Sequence, residues 1–271
     1  MKLFYRESGK GEALIILHGL YGSSDNWVSI AKELESYFRV INVDQRNHGQ
    51  SPHRSEHSYT LLTNDLLKLF EVLKLEKAIL LGHSMGGKVA MQFTMEHPEK
   101  VSSLIVVDIA PWSHDPLAHI SEEHQQIIEG LMSIPIDSLT SRVQADEILS
   151  ERVKSLPIRQ FLLKNLKREQ DGSFGWKINL TAIASNLKNL MGSIEPSTHN
   201  HSYKVRTLFI KGEQSNYIPN DKEDDLKEIF TNSEIITIHD AGHWVHAEKP
   251  MEFLKAVLFF LKRSRTLDQV V

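Results

Sequence analysis

The chain contains no cysteine among its 271 residues. Disulfides, thiolate metal sites and a cysteine nucleophile are therefore excluded. It also lacks a long apolar run, since residues 256–261 form the longest one near the C-terminus and are far too few to span a bilayer. The first twelve residues lack the apolar core of a signal peptide. These absences predict a cytoplasmic protein without stable membrane anchoring.

The sequence also lacks a large excess of either charge, with 31 Lys and Arg residues against 35 Asp and Glu residues. The formal net charge of −4 gives no electrostatic reason to expect a nucleic-acid partner. The length suits one large α/β domain, or such a core with an inserted cap, as a monomer or homodimer. No pattern in the sequence requires a metal or an organic cofactor, and a small molecule is the expected partner.

Short apolar runs alternate with segments of helical periodicity, which predicts an α/β fold with a mostly parallel sheet. The first run, residues 13–17, ends at His18-Gly19. The other strand-like runs lie at 39–43, 78–81, 103–109, 207–210 and 234–239. The segments of helical periodicity lie at 25–37, 59–75, 84–95, 220–230 and 250–262.

This alternation stops between residues 112 and 201, where only helical segments are predicted. We expect residues 1–111 and 202–271 to form the core and residues 112–201 to form a helical cap. The cap is expected to cover the carboxyl edge of the sheet, where open α/β sheets bind ligands. Its predicted helices are 121–132, 138–154, 157–168 and 182–191.

Residues 82–86 read Gly-His-Ser-Met-Gly and follow the third apolar run. This G-x-S-x-G pattern is typical of a sharp turn from strand to helix that exposes a serine hydroxyl. The flanking residues are glycines because the tight turn leaves no room for a side chain. Ser84 is therefore the candidate nucleophile.

The same residues nearly fit a phosphate-binding loop, because Gly82 is followed by Gly87-Lys88 at the required spacing. Such a loop needs Ser or Thr after the lysine to hold magnesium, and Val89 offers no ligand. A further alternative is a binding protein that keeps the fold of such an enzyme without its activity. It would lack the base and the acid that a reactive serine needs.

A serine nucleophile needs a base and a group that orients the base. His243 lies between the last predicted strand and the last predicted helix, and the order Ser then His agrees with the chain order of serine hydrolases of this kind. His246 lies three residues later, so a His-x-x-His metal site is the rival interpretation. That rival lacks an obvious third ligand.

The acid has more than one candidate in the sequence. Its usual position is the loop at residues 211–217, where Asn216 stands in place of the expected Asp. Asp108 instead follows an apolar strand, and a carboxylate there needs a cationic or donor partner such as histidine. We favour Asp108, while Glu213 and Asn216 stay open as alternatives.

The oxyanion that forms during acyl transfer needs backbone donors. The amide of Met85, directly after the nucleophile, is the first candidate. The amide of Leu20, in the turn that follows the first apolar run, is the second. We expect His18 to support this turn through hydrogen bonds.

Five segments together resemble the α/β-hydrolase superfamily over nearly the whole chain: HGLYGSSDNW, VDQRNHGQSPH, GHSMGGKVAMQF, VVDIAPW and AGHWVHAEKP. More narrowly, the chain is similar to the small bacterial esterases of the YbfF type, which are related to ABHD11-like hydrolases. The resemblance implies Ser84, Asp108 and His243 as the triad, with Leu20 and Met85 as oxyanion donors. It also implies hydrolysis of short-chain esters or acyl-CoA thioesters. Carbon–carbon bond hydrolysis or a lyase step with the same triad is the alternative within this fold.

The substrate pocket is expected to combine cap residues with the ring next to the base. The candidates are Trp112, Leu117, Ile127, Leu131, Phe161 and Trp244.

Overall fold

The computed structural model describes residues 1–112, 118–194 and 202–267. A seven-stranded sheet has the order β1-β3-β2-β4-β5-β8-β9, and every neighbouring pair is parallel except β1 with β3. Its strands are β1 (Phe4–Ser8), β2 (Ala13–Leu17), β3 (Arg39–Asp44), β4 (Ala78–His83), β5 (Val101–Val107), β8 (Thr207–Gly212) and β9 (Ser233–Ile238). The α/β prediction is confirmed.

Helices cover both faces of this sheet, which explains why the central strands are buried along their whole length and mostly apolar. β2, β4 and β8 are buried at every position. One face packs against α2 and α3 through residues such as Phe70 and Phe93, and the other packs against α1 and α10 through residues such as Leu34 and Phe253. The sheet helices are α1 (Val28–Leu34), α2 (Tyr59–Leu73), α3 (Met85–Glu96), α8 (Glu223–Ile229), α9 (Val245–Glu248) and α10 (Pro250–Leu267).

The edge strand β1 was missing from the expectation. Its sequence, Phe-Tyr-Arg-Glu-Ser, is half polar because it is an antiparallel edge strand with partial exposure. The long predicted helix at 25–37 is divided into a 3₁₀ turn at Ser24–Trp27 and the shorter α1.

The segment between β5 and β8 adds no strand to the main sheet in its described part. It forms α4 (Ala118–Met132), α5 (Arg142–Ser150), α6 (Leu156–Leu162) and α7 (Leu180–Met191). We call α4 to α7 and their connections the inserted block. Because residues 113–117 and 195–201 lie outside the described residues, the 112–201 boundary stays a prediction.

The inserted block also contains a small hairpin that the sequence did not predict. The prediction of a helix at 157–168 was wrong for its last residues. There β6 (Leu166–Arg168) pairs with β7 (Phe174–Trp176). Between them Gly172 adopts a φ of 87°, a left-handed turn conformation that glycine tolerates without strain. In the described ranges no helix is both long and apolar enough to cross a membrane.

Candidate active site

The turn between β4 and α3 holds Ser84 in a strained conformation, with φ 52° and ψ −119°. A Cβ atom on Gly82 would lie 2.2 Å from the carbonyl oxygen of Gly86, and one on Gly86 would lie 2.2 Å from that of Leu17. Both glycines are therefore required by space, as the motif predicted. Positive φ at a non-glycine residue costs of order 1–3 kcal/mol and is concentrated at functional sites.

Ser84 lines two adjoining cavities at the carboxyl edge of the sheet. The His243 cavity, of about 70 Å³, contains Ser84 and His243 together with residues of the inserted block. The Lys88 cavity, of about 10 Å³, contains Ser84, Met85 and Lys88. Leu20 borders both cavities. The predicted nucleophile, base and oxyanion residues thus surround one small space.

His243 and Asp108 are in direct contact. The His243 Nδ1–H donates to Asp108 Oδ2 over 2.7 Å, which leaves Nε2 as the unprotonated nitrogen of a neutral ring. Asp108 follows β5 with a φ of 51° and is fully buried. β5 is hydrogen-bonded to β4, and Ser84 N–H donates to Val107 O over 3.0 Å. The predicted acid and the predicted nucleophile therefore lie at the ends of neighbouring strands.

The protonation of this pair follows from its surroundings. Burial raises the pKa of Asp108 to about 7, and the hydrogen bonds from Ser215 Oγ and Gly212 N–H and the positive charge of Lys211 offset this rise only in part. Burial lowers the pKa of His243. A neutral imidazole is therefore favoured, which is the form that accepts a proton.

The loop after β8, which is the usual position of the acid, holds Asp108 through hydrogen bonds. Gly212 N–H donates to Asp108 Oδ1 over 3.0 Å, and Ser215 Oγ donates to Oδ2. Glu213 is engaged elsewhere, accepting from His239 and Asp240, and Asn216 is exposed. Sequence reasoning missed Ser215, because a hydroxyl in a loop carries no spacing signal for its acceptor.

Two further residues that the sequence did not single out, Tyr217 and His83, contact His243 directly. Tyr217 stacks on the imidazole, with centroids 3.7 Å apart and planes 16° apart, and His124 Nε2 lies 3.1 Å from the Tyr217 hydroxyl. His83, inside the serine motif, donates from Nε2 to the carbonyl of His243 over 2.9 Å. The base is thus fixed on both its ring and its backbone.

His246 belongs to the core packing beneath this loop. Its ring stacks on Trp27 with centroids 3.9 Å apart. Within the described part of the chain, no group of three or more His, Asp or Glu side chains is placed to hold a metal ion. The second histidine of the His-x-x-His pair, His246, therefore has a packing role.

His18 supports the turn after β2, as expected. Its Nε2 accepts from the backbone of Gln45 over 3.0 Å, and the Gln45 side-chain amide donates to the His18 carbonyl over 2.7 Å. These bonds fix the backbone that carries Leu20.

Comparison with known proteins agrees with this geometry. The model of the α/β hydrolase fold family matches residues 12–131. A Danio rerio protein named sn-1-specific diacylglycerol lipase ABHD11 is 40% identical over 258 residues, covering 94% of this chain and 80% of that protein. The chain belongs to the α/β-hydrolase family.

Two further relatives narrow this placement. Esterase YbfF of Escherichia coli is 32% identical over 248 residues and covers 92% of both chains. A solved structure named marine microorganism esterase is 45% identical, has a TM-score of 0.92, and covers 96% of this chain and 99% of its own. The expected likeness to YbfF and ABHD11 proteins is confirmed, and this α/β-hydrolase is a carboxylic ester hydrolase.

The pocket candidates of this α/β-hydrolase are divided between several places. Ile127 and Trp244 line the His243 cavity, and Phe161 packs its ring 5.6 Å from that of Trp244. Leu131 is instead fully buried in the apolar core. Trp112 contributes its carbonyl oxygen to Lys88. Leu117 lies outside the described residues.

Acid is expected to destabilise this α/β-hydrolase, because buried histidines must gain protons that the fold disfavours. Burial lowers the pKa of His57 to about 4 and that of His124 to about 3. In the unfolded chain the imidazole pKa values are near 6.5. At pH values between the folded and the unfolded pKa, the unfolded chain binds more protons than the folded chain. The free energy of unfolding therefore falls as the pH drops below about 6.5. Each pKa unit is worth about 1.4 kcal/mol per histidine.

Urea midpoints measured from neutral to acid pH check this expectation. His57→Asn should weaken the pH dependence, because an Asn oxygen can replace Nδ1 as the acceptor for Asn47 and does not titrate. The same substitution at His239, whose side chain is 81% exposed, is the matched control. Equal pH dependence in the His57 variant and the wild type would contradict the argument.

Proposed function

We propose that this α/β-hydrolase is a serine esterase that forms an acyl-enzyme on Ser84. The observation that carries the proposal is the 2.7 Å hydrogen bond from His243 to buried Asp108 beside the cavity that Ser84 lines. A nucleophile, a neutral base and an orienting carboxylate are the parts that acyl transfer requires.

In the first half of the reaction, Ser84 Oγ attacks the ester carbonyl carbon while His243 Nε2 accepts the hydroxyl proton. Asp108 holds the Nδ1–H tautomer and stabilises the imidazolium that forms. The amides of Leu20 and Met85 donate to the oxyanion, and the N-terminus of α3 adds its positive dipole end. Collapse of the tetrahedral intermediate breaks the ester bond, and His243 returns the proton to the leaving alcohol.

In the second half, a water molecule gives a proton to His243 and attacks the acyl carbon. Collapse releases the carboxylic acid, and His243 returns the proton to Ser84. All these steps use side chains and backbone groups of this chain.

The division of the site into two cavities suggests how the substrate lies. The leaving group must lie within reach of His243, because that residue protonates it. The acyl chain then extends to the other side of Ser84, into the Lys88 cavity, whose small size favours short chains. We extend the proposal to thioesters such as acyl-CoA, whose cleavage uses the same steps.

A panel of p-nitrophenyl esters and acyl-CoA thioesters tests the reaction class. We expect turnover of short-chain p-nitrophenyl esters, and covalent labelling of Ser84 by a serine-directed phosphonate, located by peptide mass spectrometry. Turnover of esters without thioesters would restrict the proposal to esters. Absence of both turnover and Ser84 labelling in folded protein would overturn it.

A further inference from the structure

Lys88 is a buried charge that the proposed chemistry does not use. It lies on α3 one helical turn after Ser84, and its exposed fraction is 1%. Among the described residues no carboxylate pairs with its ammonium group. Burying an unpaired charge is costly, and burial accordingly lowers the pKa of Lys88 to about 7. Charged or neutral, its amine depends on hydrogen bonds to nearby acceptors.

Besides the Tyr59 ring, whose centroid is 5.8 Å from Lys88 Nζ, its partners are the two chain connections of the inserted block. Lys88 Nζ donates to the carbonyl of Gly192 over 2.6 Å and to that of Trp112 over 3.2 Å. Trp112 precedes the inserted block, and Gly192 follows α7 at its other end. One ammonium group on the nucleophile helix therefore fixes both connections.

The residue before Gly192 forms the end of the Lys88 cavity. Met191 and Leu190 line this cavity together with Ser84. The Leu190 carbonyl is itself held by the Tyr59 hydroxyl over 2.8 Å. This stretch of backbone is thus anchored to α2 and α3, on the core side of the site.

A larger space lies on the other side of Met191. A surface groove of about 470 Å³ between α4 and α7 is lined by Met191 and Gly192 as well. We name it the outer groove, and its other lining residues are Ser121, Gln125, Ala184, Ser185, Leu187 and Lys188. Met191 therefore separates a very small cavity at Ser84 from a space large enough for several methylene groups.

We propose that Lys88 sets the acyl-chain length of this enzyme by holding Gly192, and with it the Met191 wall, against the nucleophile helix. The inference rests on the proposed esterase function and on the acyl group lying in the Lys88 cavity. Lys88 acts here as a positioning residue. When the hydrogen bonds of Lys88 are intact, the Met191 wall limits substrates to short acyl groups. When they are lost, longer acyl chains extend past Met191 into the outer groove.

The test measures kcat and KM for p-nitrophenyl esters with acyl chains of increasing length. Lys88→Met removes the donors and keeps an unbranched side chain, and Met191→Ala removes the wall directly. We expect the ratio of kcat/KM for hexanoate to that for acetate to rise at least about tenfold in both variants, the effect typical of room for an added methylene. The rise should come mainly from a lower KM for the longer ester.

Arg142→Met is the matched control. Arg142 also donates to two carbonyl groups of the inserted block, those of Leu163 and Leu166, but these do not adjoin the Met191 wall. Its loss should lower thermal stability without changing the hexanoate-to-acetate ratio. If the ratio rose only because the inserted block was destabilised, it would rise in all three variants alike.

The outcomes separate this inference from the proposed function. If folded Lys88→Met and Met191→Ala hydrolyse acetate esters with the wild-type chain-length ratio, the chain-length inference is overturned and the esterase proposal stands. If Lys88→Met does not fold, Met191→Ala decides. An equal rise in Arg142→Met would also overturn the role given to Lys88.

Discussion

Ser84→Ala is expected to lower kcat for p-nitrophenyl acetate about 10⁶-fold, the loss found when a serine nucleophile of this kind is removed. The variant keeps the oxyanion donors and the cavity, so a small residual rate over water should persist. The fold should be unaffected, because an alanine has the same Cβ as the serine and Ser84 contributes to the sheet only through its backbone. Initial rates and a phosphonate-labelling experiment measure the loss.

The control for this variant is Ser102→Ala. Ser102 lies on β5 and hydrogen-bonds to Glu12, far along the strand from the carboxyl edge. It should keep wild-type turnover. If Ser84→Ala retained more than about one hundredth of the wild-type kcat, a loss far below that expected of a nucleophile, the covalent mechanism would be wrong.

Asp108→Asn is expected to lower kcat about 10⁴-fold with little change in KM, as in the corresponding change of a trypsin-type triad. An asparagine amide can face His243 with its NH₂ group, which favours the wrong imidazole tautomer. It also provides no negative charge to stabilise the imidazolium. Steady-state kinetics on one short ester, with circular dichroism to verify folding, checks the prediction.

Two neighbours provide the comparison for the acid. Asn216→Ala and Glu213→Gln should both stay within a few-fold of the wild type, because Asn216 is exposed and Glu213 accepts from His239 and Asp240. A large loss in either of these variants, together with a small loss in Asp108→Asn, would transfer the acid role to the loop after β8.

The sequence was sufficient where local sterics and chain order decide the structure. Gly82 and Gly86 meet backbone atoms within 2.2 Å if a Cβ is added, so their presence around a serine reports the turn directly. Asp108 was favoured because a carboxylate at the tip of an apolar strand requires a partner, and the structure places His243 beside it. Both arguments depend on a few adjacent residues, and both concern the buried centre of the sheet.

The sequence was insufficient where the structure depends on contacts between distant segments. The donor Ser215 and its acceptor Asp108 are 107 positions apart, and the stacking of Tyr217 on His243 is a contact between two loops. Periodicity also identified Leu131 as apolar and helical, but could not tell which side of the helix faces the cavity. The hairpin at 166–176 was hidden by its short strands.

The position of β9 at the sheet edge has a consequence for biosynthesis. Ser84 and Asp108 directly follow the adjacent inner strands β4 and β5, but His243 follows β9, which is translated after them. A nascent chain that ends before residue 233 therefore carries the proposed nucleophile and the proposed acid without the proposed base. Translation must therefore pass residue 243 before the proposed triad can assemble.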